Sequence, residues 1–402
     1  MSNIYQTVDL ENTFALAVEA HQNGNHDKAV DLYSRILNLM PDSPLVHYNK
    51  GLALYEQGFF SDSLICYKNA LDLVPGEPDI LYNMALCLKQ LGKIQESINC
   101  YEEIISTNPD DIDSLYNLGC CYKDVQEDDK AIAIYENVLK KNGDHQAALS
   151  NIAFLFHRKE NYLRSAEYFS RLITLNPQHH AARHMLASLN EESPDSAPAH
   201  YIEQVFDGYS ERYDNSLVDD LQYSVPLKMR YCFENYFSEK TAGNIALDLG
   251  CGTGLGGEAF HDICTTLDGI DISKKMLNKA AQKNIYSTLS ACEINDFLLS
   301  SNKRYNLILS TDVFIYLGDL AKTFALIHEI AQKDCLFCFS TELLEDHSTF
   351  ALRKSGRFAH SKEYISTICN KAGWQILESE AINLRKEKDE WIKGMLYFTK
   401  KA

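Results

Sequence analysis

Along the first 180 residues, small, aromatic and turn-forming positions recur at a constant step of 34. Tyr33, Tyr67, Tyr101, Tyr135 and Phe169 form one column. Ala17, Gly51, Ala85, Gly119 and Ala153 form a second, and Ala29, Ser63, Ser97, Ala131 and Ser165 a third. Pro41, Pro75, Pro109 and Pro177 form a fourth, with Gly143 in the missing proline's place. This pattern predicts paired antiparallel helices. Small residues allow close approach, the aromatic fills the space towards the next pair, and proline or glycine stops the second helix. From residue 245 the rhythm changes. Short β-rich runs (IALDL, TTLDGIDI, IYSTLS, YNLILS, CLFCFST) alternate with helical stretches such as SKKMLNKAAQK, predicting a parallel sheet with crossover helices.

The four columns resemble the tetratricopeptide repeat (TPR). Five repeats are expected at about 10–43, 44–77, 78–111, 112–145 and 146–179, and the stretch 180–192 reads as a capping helix. The segment 193–204, with SPDSAPAH at its start, reads as a linker, and 205–402 as the second domain. The expected fold is an all-α TPR solenoid followed by a doubly wound, Rossmann-like α/β domain.

Composition narrows the function classes. The chain has 402 residues and a formal net charge of -18. Residues 1–200 carry 15 Lys and Arg against 28 Asp and Glu, a balance of -13; the rest carry 23 against 28, a balance of -5. An acidic array repels phosphate backbones and suits a neutral or basic polypeptide, so no nucleic acid is expected. No apolar run nears the roughly 18 residues of a membrane span, and the first residues lack a secretion signal, so a cytoplasmic protein is expected. The twelve cysteines sit within apolar patterns and read as reduced, buried thiols, Cys335 and Cys338 within a strand included.

The candidate chemistry lies at the end of the first β-rich run, in Ala246-Leu247-Asp248-Leu249-Gly250-Cys251-Gly252-Thr253-Gly254. Glycines let the backbone turn sharply from strand to helix and approach a ligand. Twenty-one residues past Gly250, the second run ends in Asp271, whose carboxylate can accept both hydroxyls of a ribose. These features predict an adenosine site at the carboxyl ends of the strands. Gly252, Gly254 and Gly257 also fit the dinucleotide pattern G-x-G-x-x-G, which leaves a nicotinamide or flavin cofactor as the alternative.

The run D-x-G-x-G-x-G from Asp248 resembles the first motif of class I S-adenosylmethionine-dependent methyltransferases. With FDGYSERYDNSLVDDLQYSVP (206–226), GIDISKKMLNKAAQK, YNLILSTDVFIYLGDL and SGRFAHSKEYI (355–365), the second half resembles bacterial methyltransferases that themselves often carry TPR repeats. The resemblance implies S-adenosylmethionine as cofactor, S-adenosylhomocysteine as product, and a seven-stranded sheet with an antiparallel last strand, for which 391–400 is the candidate. It implies that Gly250, Gly252 and Gly254 line the cofactor, Asp271 holds the ribose and Ile272 faces the adenine. Asp248 would help hold the methionine ammonium, Glu293 or Asp296 would lie beside the adenine amino group, and Asp312 near the sulfonium. Tyr209 and Tyr213 are expected in a helical lid, His360 as a base and Arg357 as an anchor for an anionic acceptor.

In the array, Asn49, Asn83, Asn117 and Asn151 recur at the 34-residue step, two positions before each small residue. Amides there can donate to and accept from an extended peptide, or serve the scaffold. No metal site is expected: His180 and His184 are spaced i, i+4 but lack an evident third ligand. Two readings remain: a methyltransferase whose array binds a protein or peptide, and a small-molecule methyltransferase whose array serves assembly. A third is a methyltransferase-like scaffold without activity.

Overall fold

The computed structural model describes residues 2–209, 222–237, 242–346, 348–387 and 390–402, and the chain divides into two compact units, Met1–Leu175 and Asn176–Ala402. The first unit is ten helices in five pairs: α1 (Ser2–Gln22) with α2 (His26–Leu39), α3 (Pro44–Glu56) with α4 (Phe60–Leu73), and α5 (Pro78–Gln90) with α6 (Ile94–Thr107). Then come α7 (Ile112–Asp124) with α8 (Asp128–Lys141), and α9 (Gln146–Arg158) with α10 (Tyr162–Leu175).

Each column does what its chemistry predicts. Tyr33, Tyr67, Tyr101, Tyr135 and Phe169 are fully buried. A Cβ added at Gly51 would come within 2.7 Å of the Tyr67 ring, and one at Gly119 within 2.6 Å of the Tyr135 ring, so the aromatic occupies the room the glycine leaves. The serine column ties the two helices of a pair together: Ser63 Oγ donates to the Gly51 carbonyl at 2.8 Å, Ser97 to Ala85 at 2.8 Å and Ser165 to Ala153 at 2.9 Å. Each hydroxyl is thereby buried with its partner supplied, the condition under which a polar group can sit in a core.

In the second unit, seven strands form the sheet in the order β3 (Thr288–Ala291), β2 (Cys264–Asp271), β1 (Asn244–Leu249), β4 (Tyr305–Ser310), β5 (Ala331–Leu343), β9 (Glu390–Lys401), β8 (Trp374–Glu387). The first five run parallel, and β9 is antiparallel to both β5 and β8, the arrangement the resemblance implies. A short hairpin, β6 (Phe350–Leu352) and β7 (Phe358–His360), extends the sheet beyond the end of β5.

Alternation along β1 sends Leu247 and Leu249 into a core with helices Ala321–Ile330 and Lys362–Ala372, through Phe324, Ile327, Ile365 and Ile368. Ala246 faces the other core, with helix Val225–Tyr236 through Val225, Met229 and Phe233. Strands covered on both faces read as continuous apolar runs, which is why β1, β4 and β5 were legible in the sequence.

The structure draws the domain boundary differently from the sequence reading. Helix His180–Leu189, expected as the cap of the array, belongs to the second unit. His184 lies buried there, its Nε2 2.8 Å from the Gly356 carbonyl and its ring 4.7 Å from that of Tyr201, and so is spoken for as a packing residue. The expected linker is likewise part of that unit: Ala197 N–H donates to the Tyr316 carbonyl at 2.9 Å, and Gly318 and Asp319 N–H donate to the Asp195 carbonyl at 2.8 and 2.9 Å.

Candidate functional site

The carboxyl ends of β1, β2 and β4 meet above a cavity of about 450 Å³. Gly250 and Gly252 line it from the turn after β1, both with positive φ (67° and 55°), a conformation that L side chains rarely adopt. A Cβ built on Gly252 would meet nothing within 4 Å, so the backbone here stands open to the cavity. Asp271 closes β2 and is held rigidly: its Oδ2 accepts from Gly252 N–H at 2.9 Å and its Oδ1 from Ser273 N–H at 2.8 Å. Burial raises its pKa, and these two backbone donors act in the opposite direction, favouring the carboxylate. Ile272, Cys292, Glu293, Ile294 and Asn295 continue the wall.

On the far side stand Thr311, Asp312, Val313, Tyr316 and Leu317. Asp312 has φ +60°, strained for a non-glycine residue, and is fixed by its surroundings. Its N–H donates to Ser340 Oγ at 2.8 Å, and its carboxylate accepts from Arg385 at 3.2 and 3.3 Å. Arg385 is almost fully buried; it also pairs with Glu342 and, at 2.7 Å, with Glu387, and Arg357 pairs with the same Glu387.

Of the expected cofactor residues, Gly250, Gly252, Asp271, Ile272, Glu293 and Asp312 therefore share one cavity, while Asp296 is not among its lining residues. Asp248 and Gly254 are not among them either. Asp248 lies beneath the turn, its Oδ2 accepting from Tyr286 at 2.7 Å, with Gly256 leaving room for the carboxylate. Burial raises its pKa to about 6. Gly254, at φ +94°, starts helix Leu255–Phe260 and shapes the turn.

His360, expected as a base, is not among the residues that line the cavity. The residue is fully buried on β7, its Nε2 3.0 Å from the Gly318 carbonyl between the lining residues Leu317 and Asp319, and burial lowers its pKa to about 4. Arg357 is likewise engaged by Glu387 instead of standing ready for an anionic acceptor. Tyr209 ends helix Ala199–Tyr209, with its side chain outside the described residues, as is Tyr213 altogether.

The asparagine column does structural work. Asn83 Nδ2 donates to Tyr48 Oη at 2.9 Å, Asn117 to Tyr82 at 2.9 Å and Asn151 to Tyr116 at 3.3 Å, each reaching into the preceding repeat. Asn49 Nδ2 donates to the Leu45 carbonyl of its own helix. Each amide thus gives at least one of its two N–H donors to the scaffold.

Sequence reasoning missed Asp195–Ala199, Ile202, Tyr223, Tyr316 and Lys322, all of which line the cavity. The proline- and serine-rich stretch looked like a linker because it docks through backbone hydrogen bonds, which leave no periodic side-chain signal. Tyr316 was within reach, in the family-like segment YNLILSTDVFIYLGDL.

Residues 240–392 match the family model described as a methyltransferase domain. Residues 18–118 and 84–180 match the model of the N-terminal TPR repeat region of Psidin. No curated protein matches the chain in sequence. Similar solved structures include YrrB, described as a TPR protein with an unusual peptide-binding site, at 19% identity, TM-score 0.40, covering 43% of this chain and 89% of that one. MamA follows at 20% identity and TM-score 0.41, covering 42% and 92%. The N-methyltransferase NodS from Bradyrhizobium japonicum WM9, in complex with S-adenosyl-L-homocysteine, is similar at 18% identity and TM-score 0.40, covering 50% and 98%.

Proposed function

We propose that this chain, which joins TPR repeats to a methyltransferase domain, transfers a methyl group from S-adenosylmethionine to an amino group on a basic polypeptide that the array recruits. The observation that carries the reading is the charge of the cavity. Asp195, Asp271, Glu293, Asp312 and Asp319 line it against Lys322 as the cation among the described lining residues. Such a lining suits a sulfonium cofactor and a cationic acceptor, and disfavours the pyrophosphate of a nicotinamide or flavin dinucleotide.

Within this reading, Asp271 takes the ribose hydroxyls, because its backbone donors already fix the carboxylate. The open backbone of Gly252 lets the nucleoside approach, while Gly250 makes room for Val313; Ile272 packs against the adenine and Glu293 lies on its amino side. When bound, S-adenosylmethionine supplies an electrophilic methyl. A cationic acceptor would first release a proton to water; the lone pair so freed would form the new N–C bond as the S–CH₃ bond breaks, the leaving pair would stay on sulfur, and the positive charge would pass to the methylated nitrogen. Asp312, held in place by Arg385, orients the acceptor N–H, and the apolar side chains of Val313 and Leu317 keep water from the line of attack. The acidic balance of the array supports a basic polypeptide as the recruited partner. The amide oxygens of Asn49, Asn83 and Asn117 accept from its backbone, with at least one N–H of each amide held by the scaffold.

A second reading, a small amine as acceptor, is favoured by the segment 195–202, which walls the cavity and limits its size. The test is methyl transfer from labelled cofactor by the full chain to pools of basic peptides, acidic peptides and small amines. Label on basic peptides is expected. Label on small amines alone would replace the first reading by the second, and saturable binding of NAD without binding of S-adenosylmethionine would overturn both.

A further inference from the structure

A second site lies in the array, remote in sequence from the methyltransferase chemistry. His21 in the last turn of α1, His26 at the start of α2 and Glu56 at the end of α3 bring two imidazoles and a carboxylate together. Glu56 Oε2 is 3.1 Å from His21 Nε2 and 3.3 Å from His26 Nδ1, and all three ligand atoms lie within 4.8 Å of one another. Zinc bonds of about 2.0–2.2 Å in a tetrahedral arrangement place donor atoms roughly 3.4 Å apart, so the two separations from Glu56 already match, and the two imidazole nitrogens lie within 4.8 Å of each other.

The repeat lattice supplies an internal control. The same three positions recur at every junction between pairs. One step on, Tyr55 and Phe60 pack edge to face at 5.3 Å beside Gln90. Two steps on, Lys89 pairs with Asp124 at 2.9 Å beside Ile94. Three steps on, Arg158 Nε donates to Asp128 at 2.7 Å. Each of those junctions is closed by one ordinary contact. At the first junction two imidazole nitrogens converge on a single carboxylate oxygen, and His26 Nδ1 is a buried atom without a hydrogen bond of adequate geometry. A histidine nitrogen left so, facing a carboxylate and a second imidazole, is arranged as a ligand would be.

We propose that His21, His26 and Glu56 bind a divalent transition-metal ion of the zinc class, with water completing the tetrahedron on the side where Glu56 is half exposed. The ion would clamp the first helix pair onto α3, and its bond to the array is independent of the cofactor reading above. Binding requires both imidazoles neutral, so protons compete with metal at low pH.

The test is calorimetric titration of the metal-free, reduced full chain with zinc chloride, alongside the His21→Ala/His26→Ala double variant and Glu56→Gln, all three checked for unchanged helical circular dichroism. One equivalent bound by the unaltered chain, weakened at least tenfold in Glu56→Gln and abolished in the double variant, is expected. Cobalt substitution discriminates against the twelve thiols: visible d–d bands without a thiolate charge-transfer band are expected. Absence of stoichiometric zinc binding, equal binding by the double variant, or a thiolate spectrum would overturn the site.

Discussion

The two units bury polar groups by opposite means. In the array, one local solution is repeated: a serine hydroxyl bonds the carbonyl of the small residue twelve positions earlier, at Ser63, Ser97 and Ser165 alike. In the sheet unit, Arg385 from β8 meets Asp312 from the end of β4 and Glu342 from β5, partners 73 and 43 residues away, and this happens once. A repeated local contact can be altered at one repeat while its neighbours persist, so stability is shared out along the array. A single long-range cluster has no second copy, and whatever it positions is lost with it.

That contrast orders the predictions. Arg385→Met should have the largest effect, leaving Asp312, Glu342 and Glu387 to face one another with only Arg357 and Arg353 nearby. Removing one partner of a buried ionic cluster costs about 3–5 kcal/mol, read as a lowered melting temperature of the second unit. Replacing Glu342 by Leu in the same chain should recover part of that loss. Full stability of the single variant would show that the cluster is not the constraint described.

Gly119→Val comes next. Its Cβ would press on the Tyr135 ring, and overpacking of this kind costs about 1–3 kcal/mol. Gly51→Val meets Tyr67 in the same way, so the two variants should agree within about 0.5 kcal/mol in thermal denaturation, and a large disparity would break the equivalence of the repeats.

The third prediction is a pH dependence confined to the sheet unit. Burial raises the folded pKa of Asp248 to about 6 from an ordinary value near 3.8. The folded state therefore holds the proton more tightly. Its stabilising contribution is present below about pH 4 and is lost as pH rises through about 6, by at most roughly 1.4 kcal/mol per pH unit. Asp248→Asn should flatten this slope in denaturant titrations between pH 4 and 7, and an unchanged slope would assign it to another group.

Legibility in the sequence follows the same division. The tyrosine, glycine and serine columns could be read because helix packing imposes one period on them five times. The strands and Asp271 could be read because a doubly wound sheet needs apolar runs ending in a glycine turn and an acid. What escaped was non-local. Arg385, Glu342 and Glu387 come together only through the pairing of β5, β9 and β8, and no spacing announces it. Arg357 and His360 looked available for chemistry because the sequence shows neither Glu387 nor the Gly318 carbonyl. The helix at 180–189 carried the polar outer face of a cap, yet its His184 and Met185 are buried in the second unit. The metal-ligating trio was invisible for the same reason, since Glu56 lies thirty residues from His26.

The central claim is that the cavity above β1 and β2 holds S-adenosylmethionine through Asp271. Calorimetric titration of the full chain with the cofactor, in parallel with Asp271→Ala, tests it most directly. The account predicts micromolar binding by the unaltered chain and a loss of about a hundredfold in the variant, the equivalent of roughly 3 kcal/mol for two hydrogen bonds to a carboxylate. Absence of binding by the unaltered chain, or equal binding by the variant, would contradict it.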